Sequence, residues 1–317
     1  MFSVNEDLNI TEELVPVPGG RVFARLFGGR KSSAFEKFFE LFGSRAGIEC
    51  SLINLHGGPG YPHDYLLGLS GLSDILPVLF YDQLGCGGSD RPSNLSLWRI
   101  SRFVEEIETI REFFKIKTVI LHGHSWGTIL ALEYALRYPE RVRGIVFESP
   151  CINISRWKLD SEKFLESLSQ KSRDAINNAR STYRFNSKEF IEAVDEYNQR
   201  YLHPDRPQPD LLLKCNQNSS TEVYTTMWGP CEFIVSGSLK DYDRSSSLSS
   251  LSVPVLYTAG EHDEVSLETL EGYARETPGS YYKIFDGAHH FPHLEAENEY
   301  LTVMKDFLSD VLADQKT

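Results

Sequence analysis

Thr118-Val119-Ile120-Leu121-His122-Gly123-His124-Ser125-Trp126-Gly127 is the stretch whose reading decides the fold. Thr118–Leu121 is a short β-branched and aliphatic run, the signature of a buried strand. Gly123–Gly127 then matches G-x-S-x-G, and Trp126–Tyr138 has the spacing of a helix stopped by Pro139. A strand that turns into a helix through two glycines lifts the intervening serine hydroxyl clear of the sheet. The helix N-terminus adds N–H groups and partial positive charge where an oxyanion would form. Ser125 is therefore the candidate nucleophile; the alternative is a serine that merely caps an ordinary βα turn.

Outward from this elbow the same alternation recurs. Arg21–Phe27, Ser51–Leu55, Pro77–Tyr81, Val142–Phe147, Val253–Thr258 and Tyr281–Phe285 read as strands. Ile100–Phe114, Leu267–Arg275 and Leu294–Leu312 have helical periodicity, and so does the shorter Ser32–Phe42. Near-continuous apolar strands separated by helices imply a parallel sheet covered on both faces, and right-handed crossovers make it doubly wound. Between Cys151 and about Leu251 the alternation stops. Lys158–Arg173 and Lys188–Tyr201 look amphipathic, His203–Pro209 is a proline-rich break and Ser245–Ser252 a serine-rich linker. The expectation is a core over 1–150 and 252–317, interrupted by a helical cap over 151–251.

A serine hydroxyl needs an oriented base. When the nucleophile ends a middle strand of such a sheet, the partners follow in the order acid, then histidine. Val253–Thr258 runs into Ala259-Gly260-Glu261-His262-Asp263-Glu264, which offers Asp263 as the acid. Tyr281–Phe285 runs into Asp286-Gly287-Ala288-His289-His290, where His289 is chosen for its D-x-x-H spacing from Asp286 and His290 is the runner-up. The developing oxyanion needs donors. Trp126, next to the nucleophile, supplies one backbone N–H; His56-Gly57-Gly58-Pro59-Gly60, directly after a strand, supplies the other, assigned to Gly58. His262 reads as a loop residue, and His122 and His124 as packed surroundings. His289, His290 and His293 lack a carboxylate or cysteine at metal-ligand spacing, so neither metal nor other cofactor is expected.

With 317 residues, the chain is long enough for about two domains or one large domain with an insertion. The charge balance, 45 acidic against 32 basic residues, gives −13 and disfavours nucleic acid or an anionic membrane as partner. No segment has the roughly 20 apolar residues that span a bilayer. The acidic start Met1–Asp7 is unlike a signal peptide. Five scattered cysteines without a C-x-x-C pair suit reduced thiols, and together these features point to the cytoplasm.

Three motifs in one order carry a family resemblance: His56-Gly57-Gly58-Pro59-Gly60, Tyr81-Asp82-Gln83-Leu84-Gly85-Cys86-Gly87-Gly88-Ser89 and Gly123–Gly127. Met227-Trp228-Gly229-Pro230-Cys231-Glu232-Phe233 and Gly260–Val265 add to them. Together they resemble the proline iminopeptidases of the α/β-hydrolase fold. The resemblance implies removal of an N-terminal residue, typically proline, from small peptides; the alternative is an amidase or esterase/lactonase that acts on amino-acid amides or related small substrates with the same triad. It implies Ser125, Asp263 and His289 as triad, Gly58 and Trp126 as oxyanion hole, and Glu232 and Glu264 as carboxylates that hold the substrate amine. A carboxylate beside the scissile bond is the natural partner of an ammonium in a partly desolvated site. Trp228 and Phe233 are candidate walls of a proline pocket. Thr128 stands where the family often has glycine, with a packing role expected, and Arg30–Ala46 is an additional stretch.

Overall fold

A computed structural model of the chain describes residues 8–30, 47–204 and 208–313. The helix expected at Ser32–Phe42 and part of the proline-rich break lie outside them. Eight strands form one sheet in the order β1-β2-β4-β3-β5-β6-β7-β8. They are β1 (Leu8–Val17), β2 (Gly20–Arg30), β3 (Ile48–Leu55), β4 (Val78–Tyr81), β5 (Ile116–His124), β6 (Val142–Glu148), β7 (Val255–Gly260) and β8 (Tyr281–Phe285). β1 pairs antiparallel with β2 and β2 antiparallel with β4; every later pairing is parallel. The sheet is thus the mostly parallel, doubly wound type expected. β1 was not anticipated: Leu8–Val17 mixes aliphatic with polar residues and contains Pro16, and it holds its place as an edge strand by turning Val15 and Val17 inward while Ile10 and Leu14 stay exposed.

Burial explains the continuous apolar runs. β4 is buried along its length, and β5 at every position but Lys117. On one face pack α1 (Ile100–Phe113), α2 (Trp126–Arg137) and, further along, the helix Leu267–Glu276, through Phe103, Ile107, Leu130, Tyr134 and Leu270. On the other face lie the 3₁₀ segment His63–Leu72 and the C-terminal helix Glu297–Ala313. The latter buries Tyr300, Met304, Phe307 and Leu308 at one-sided helical spacing. Each such side chain contributes about 1.5–3 kcal/mol relative to exposure.

Between β6 and β7 the chain is helical: α3 (Ile154–Leu165), α4 (Gln170–Thr182), α5 (Lys188–Tyr201), α6 (Asp210–Asn218) and α7 (Thr221–Met227). The single helix expected at Lys158–Arg173 is two. Ser169 interrupts it by accepting the Ser172 N–H and starting a new helix as its N-cap. These helices have a core of their own, in which Leu168, Ile176, Phe190, Tyr197 and Phe233 pack together. The serine-rich linker is a 3₁₀ turn, Ser245–Ser250. The remaining helices are α8 (Leu267–Glu276), α9 (Pro292–Glu295) and α10 (Glu297–Ala313). No helix among the described residues is long and apolar enough to cross a membrane.

Candidate active site

The elbow forms at the end of β5. Ser125 sits at φ 53° and ψ −120°, a conformation that costs a non-glycine residue strain and turns its side chain out of the strand direction. Its N–H donates to the Glu148 carbonyl of β6 at 2.9 Å. The flanking glycines are steric requirements. A Cβ on Gly127 would stand 2.0 Å from the Leu55 carbonyl oxygen, and one on Gly123 would stand 2.4 Å from that of Gly127. Thr128, where the resemblance anticipates glycine, has a specific task. Its hydroxyl donates to the Ser125 carbonyl at 2.6 Å and accepts the Cys151 N–H at 3.2 Å, tying the elbow to the chain that leaves β6.

Asp263 follows β7 and is buried. One carboxylate oxygen accepts from the Ser149 hydroxyl at 2.6 Å and from the Gly260 N–H at 3.2 Å. The other accepts the Val265 N–H at 3.3 Å and lies 2.8 Å from Nδ1 of His290. The choice of His289 is therefore corrected: the structure brings its neighbour, His290, to the acid. His289 turns the opposite way, where both its N–H and its Nδ1 meet Glu295, the latter at 2.8 Å. Adjacent residues of a non-helical segment point to opposite sides, so a one-residue difference reverses which ring faces inward. Gly287, at φ +69°, makes the turn after β8 that sets this phase. A D-x-x-H spacing carries no information about it.

Ser125 and His290 line one cavity of about 370 Å³. Its floor is Gly57–Tyr61, from the loop after β3; its far wall comes from Asn198, Leu212, Tyr224 and Glu232 of the helical stretch. Glu232 accepts from the Tyr224 hydroxyl at 2.6 Å, and its backbone carbonyl receives two indole N–H groups, from Trp157 at 3.1 Å and Trp228 at 3.2 Å. Glu264 lies behind His290, 3.7 Å from Nδ1, fully buried, and neither of its oxygens makes a hydrogen bond within the described residues. Trp228 and Phe233 do not line the cavity. Trp228 packs edge-on against Trp157, and Phe233 belongs to the core of the helices.

The electrostatics follow from this crowding. Burial works against charge on the His290 ring, but Asp263, then Glu264 and Glu232, outweigh it and raise its pKa to about 9. Burial raises both glutamates, and Glu232 raises Glu264 further. His124 is the opposite case: burial keeps it neutral, well below the usual imidazole range. Its Nε2–H donates to the His290 carbonyl at 2.8 Å, and its Nδ1 accepts from the Tyr65 hydroxyl at 2.8 Å. That hydroxyl accepts the Gly57 N–H at 2.7 Å. His124, Glu148 and His293 stand close enough to share an ion, yet both His124 nitrogens have partners. The Glu148 carboxylate already accepts from His293, His122 and Tyr300.

Ser149, Tyr65 and Gln83 hold the site without having been singled out from sequence. Ser149 and Gln83 stand just past the C-terminal ends of β6 and β4, where ligands bind in parallel sheets, and Gln83 also lies in the Tyr81–Ser89 motif; Tyr65, on the 3₁₀ segment ten residues after β3, had no signal.

Comparison with known proteins places these features. A family model described as the alpha/beta hydrolase fold matches residues 51–297. A proline iminopeptidase of Heyndrickxia coagulans is 38% identical over 302 residues, covering 95% of this chain and 99% of the relative. One from Saccharolobus solfataricus is 32% identical over 292 residues, covering 91% and 92%. The crystal structure of a proline iminopeptidase from Mycobacterium smegmatis superposes with a TM-score of 0.83 at 26% identity, covering 96% of this chain and all of that one.

Proposed function

The chain belongs to the proline iminopeptidase family of α/β hydrolases, and from that premise we propose that it is a serine aminopeptidase that releases an N-terminal residue, preferably proline, from small peptides. One observation carries the reading: Glu232, a half-buried carboxylate, shares the cavity of Ser125 and His290. An aminopeptidase must hold an ammonium one residue from the bond it cuts, and Glu232 with Glu264 behind it is suited to that charge.

In this mechanism the Ser125 hydroxyl attacks the carbonyl of the N-terminal residue and His290 takes its proton. Asp263 holds the imidazole through Nδ1 and stabilises the imidazolium that forms. The backbone N–H groups of Gly58 and Trp126 receive the oxyanion. The tetrahedral intermediate collapses, the proton passes from His290 to the leaving amine, and the residue stays esterified to Ser125 until water, activated by His290, releases it. A substrate ammonium offsets the carboxylates that raise His290, so binding itself moves the base towards its working range. The helices between β6 and β7 act as a cap, supported by their contribution of Glu232, Tyr224, Asn198 and Leu212 to the cavity. The cytoplasm as workplace is supported by five buried, unpaired cysteines.

The test is hydrolysis of proline, alanine and phenylalanine arylamides, each with a free and an acetylated amine, by the wild type and by Ser125→Ala. The reading expects free-amine proline substrate to be preferred and its turnover to vanish in Ser125→Ala. Equal cleavage of the acetylated substrates would instead make the protein an amidase or esterase that does not read the amine.

A further inference from the structure

We propose that Gln83 is a positioning residue that sets the spacing between the two halves of the oxyanion hole. The inference rests on the reading of Ser125 as nucleophile, and concerns a residue that touches neither the substrate nor the triad.

The two halves come from different strands. Gly58 lies in the loop after β3 and Trp126 on the elbow after β5. Gln83 lies in the loop after β4 and is completely buried. Its amide joins them. Oε1 accepts the indole N–H of Trp126 at 2.8 Å, and Nε2 donates to the His56 carbonyl at 3.1 Å. The backbone N–H of the same residue donates to Nε2 of His56 at 2.9 Å. That bond requires the His56 proton to be on Nδ1, from where it donates to the Gly57 carbonyl at 3.0 Å. Gln83 thus controls the peptide unit before Gly57 directly and the one after it through the His56 ring. The unit after Gly57 is the one that carries the Gly58 N–H.

On the other side, Gln83 holds a ring whose own backbone N–H is the second donor. The indole is clamped between this bond and the edge of Phe103, whose ring centre is 5.7 Å away. Only a primary amide of this length does both jobs. Glutamate keeps an acceptor for the indole but has no donor for the carbonyl when ionised, and methionine matches the shape but strands both polar partners in the interior. Donors of an oxyanion hole have to match the tetrahedral oxygen, which is displaced from the ground-state carbonyl oxygen. A loosened spacing therefore weakens the transition state more than the bound substrate, and the loss is expected in kcat.

The experiment compares wild type, Gln83→Met, Gln83→Glu, Trp126→Phe and the double variant Gln83→Met/Trp126→Phe. It measures kcat and KM on a free-amine prolyl arylamide, inhibition by a prolyl boronate, which forms a tetrahedral adduct with serine, and inhibition by prolinamide as ground-state competitor. The expected result for both Gln83 variants is a kcat lowered by about ten- to hundredfold. Boronate affinity should fall in parallel, while KM and prolinamide affinity stay within about twofold of the wild type. The double variant should lose no more than Gln83→Met alone, because both substitutions cut the same link. The proposal is overturned if kcat stays within about threefold of wild type, if KM and prolinamide affinity carry the loss, or if the two losses multiply. Should Gln83→Met not fold, Gln83→Glu decides. If the wild type does not cleave the arylamide, the aminopeptidase reading fails separately. The role of Gln83 is then read from the rate at which a fluorophosphonate labels Ser125, which the Gln83 variants should slow by the same factor.

Discussion

The two walls of the cavity were made by different rules. On the sheet side, Gly58, Ser125 and Asp263 each stand just beyond a strand, and the chain there is so constrained that residue types are nearly forced. A Cβ at Gly127 has no room beside the Leu55 carbonyl, and Asp263 is held by two backbone N–H groups and a serine. On the helical side, Glu232 is held by a tyrosine and two tryptophans drawn from α3, α7 and the chain that follows α7. The Met227–Phe233 motif announces Trp228 and Glu232, but not their meeting with Trp157 and Tyr224. In the proposed reading the sheet side would supply the chemistry, and the helical side, through Glu232, the charge that reads the substrate amine.

The sharpest way to break the comparison is to swap the effects of the paired histidines. His290→Ala should lower kcat by about a thousandfold or more, while His289→Ala should leave it within about threefold. Steady-state kinetics on the proline arylamide reads both, and the reverse ranking would return the base to His289.

A smaller effect belongs to the helical wall. Glu232→Gln should raise KM for free-amine substrates and reduce the preference for free over acetylated amines by about ten- to hundredfold. The same variant has a pH signature. His290 acts as base only when neutral, and its pKa of about 9 owes part of its elevation to Glu232. Removing that charge lowers the pKa, so the acidic limb of kcat/KM should move to lower pH. A limb that stays in place would separate Glu232 from the His290 titration.

The smallest effect lies at the junction of the two regions. Thr128→Val keeps the shape but deprives the buried Cys151 N–H of its acceptor. The expected cost is about 1–3 kcal/mol of stability, read from denaturant unfolding, with kcat changed less than about threefold. A large fall in kcat at unchanged stability would show instead that the Thr128 hydroxyl tunes the elbow.

Legibility followed the range of the interaction that decides each feature. Ser125, Gly58 and Trp126 are legible because a tight strand–turn–helix is a local event that needs its glycines in place. Asp263 is legible because it closes a buried strand. Lys188–Tyr201 shows its helix through one-sided spacing, whereas the break at Ser169 escapes periodicity because a cap is a single hydrogen bond. β1 escapes it too, since an edge strand needs only one buried face, and its aliphatic residues fall on both faces, Val15 and Val17 inward and Ile10 and Leu14 outward. His289 against His290 was decided by the phase of a turn, which spacing in the chain does not encode.

The sequence alone determined the mostly parallel core and pointed to Ser125 and Asp263 as candidates, because periodicity, glycine placement and chain order are properties of neighbouring residues; Glu232 and Glu264 came from the family resemblance of their motifs. Only the tertiary structure decided which histidine meets Asp263, that Glu232 faces the cavity while Glu264 stands behind His290, and that Gln83 joins Gly58's loop to Trp126. Each of these depends on groups brought together from distant parts of the chain, by sheet packing that no local pattern records.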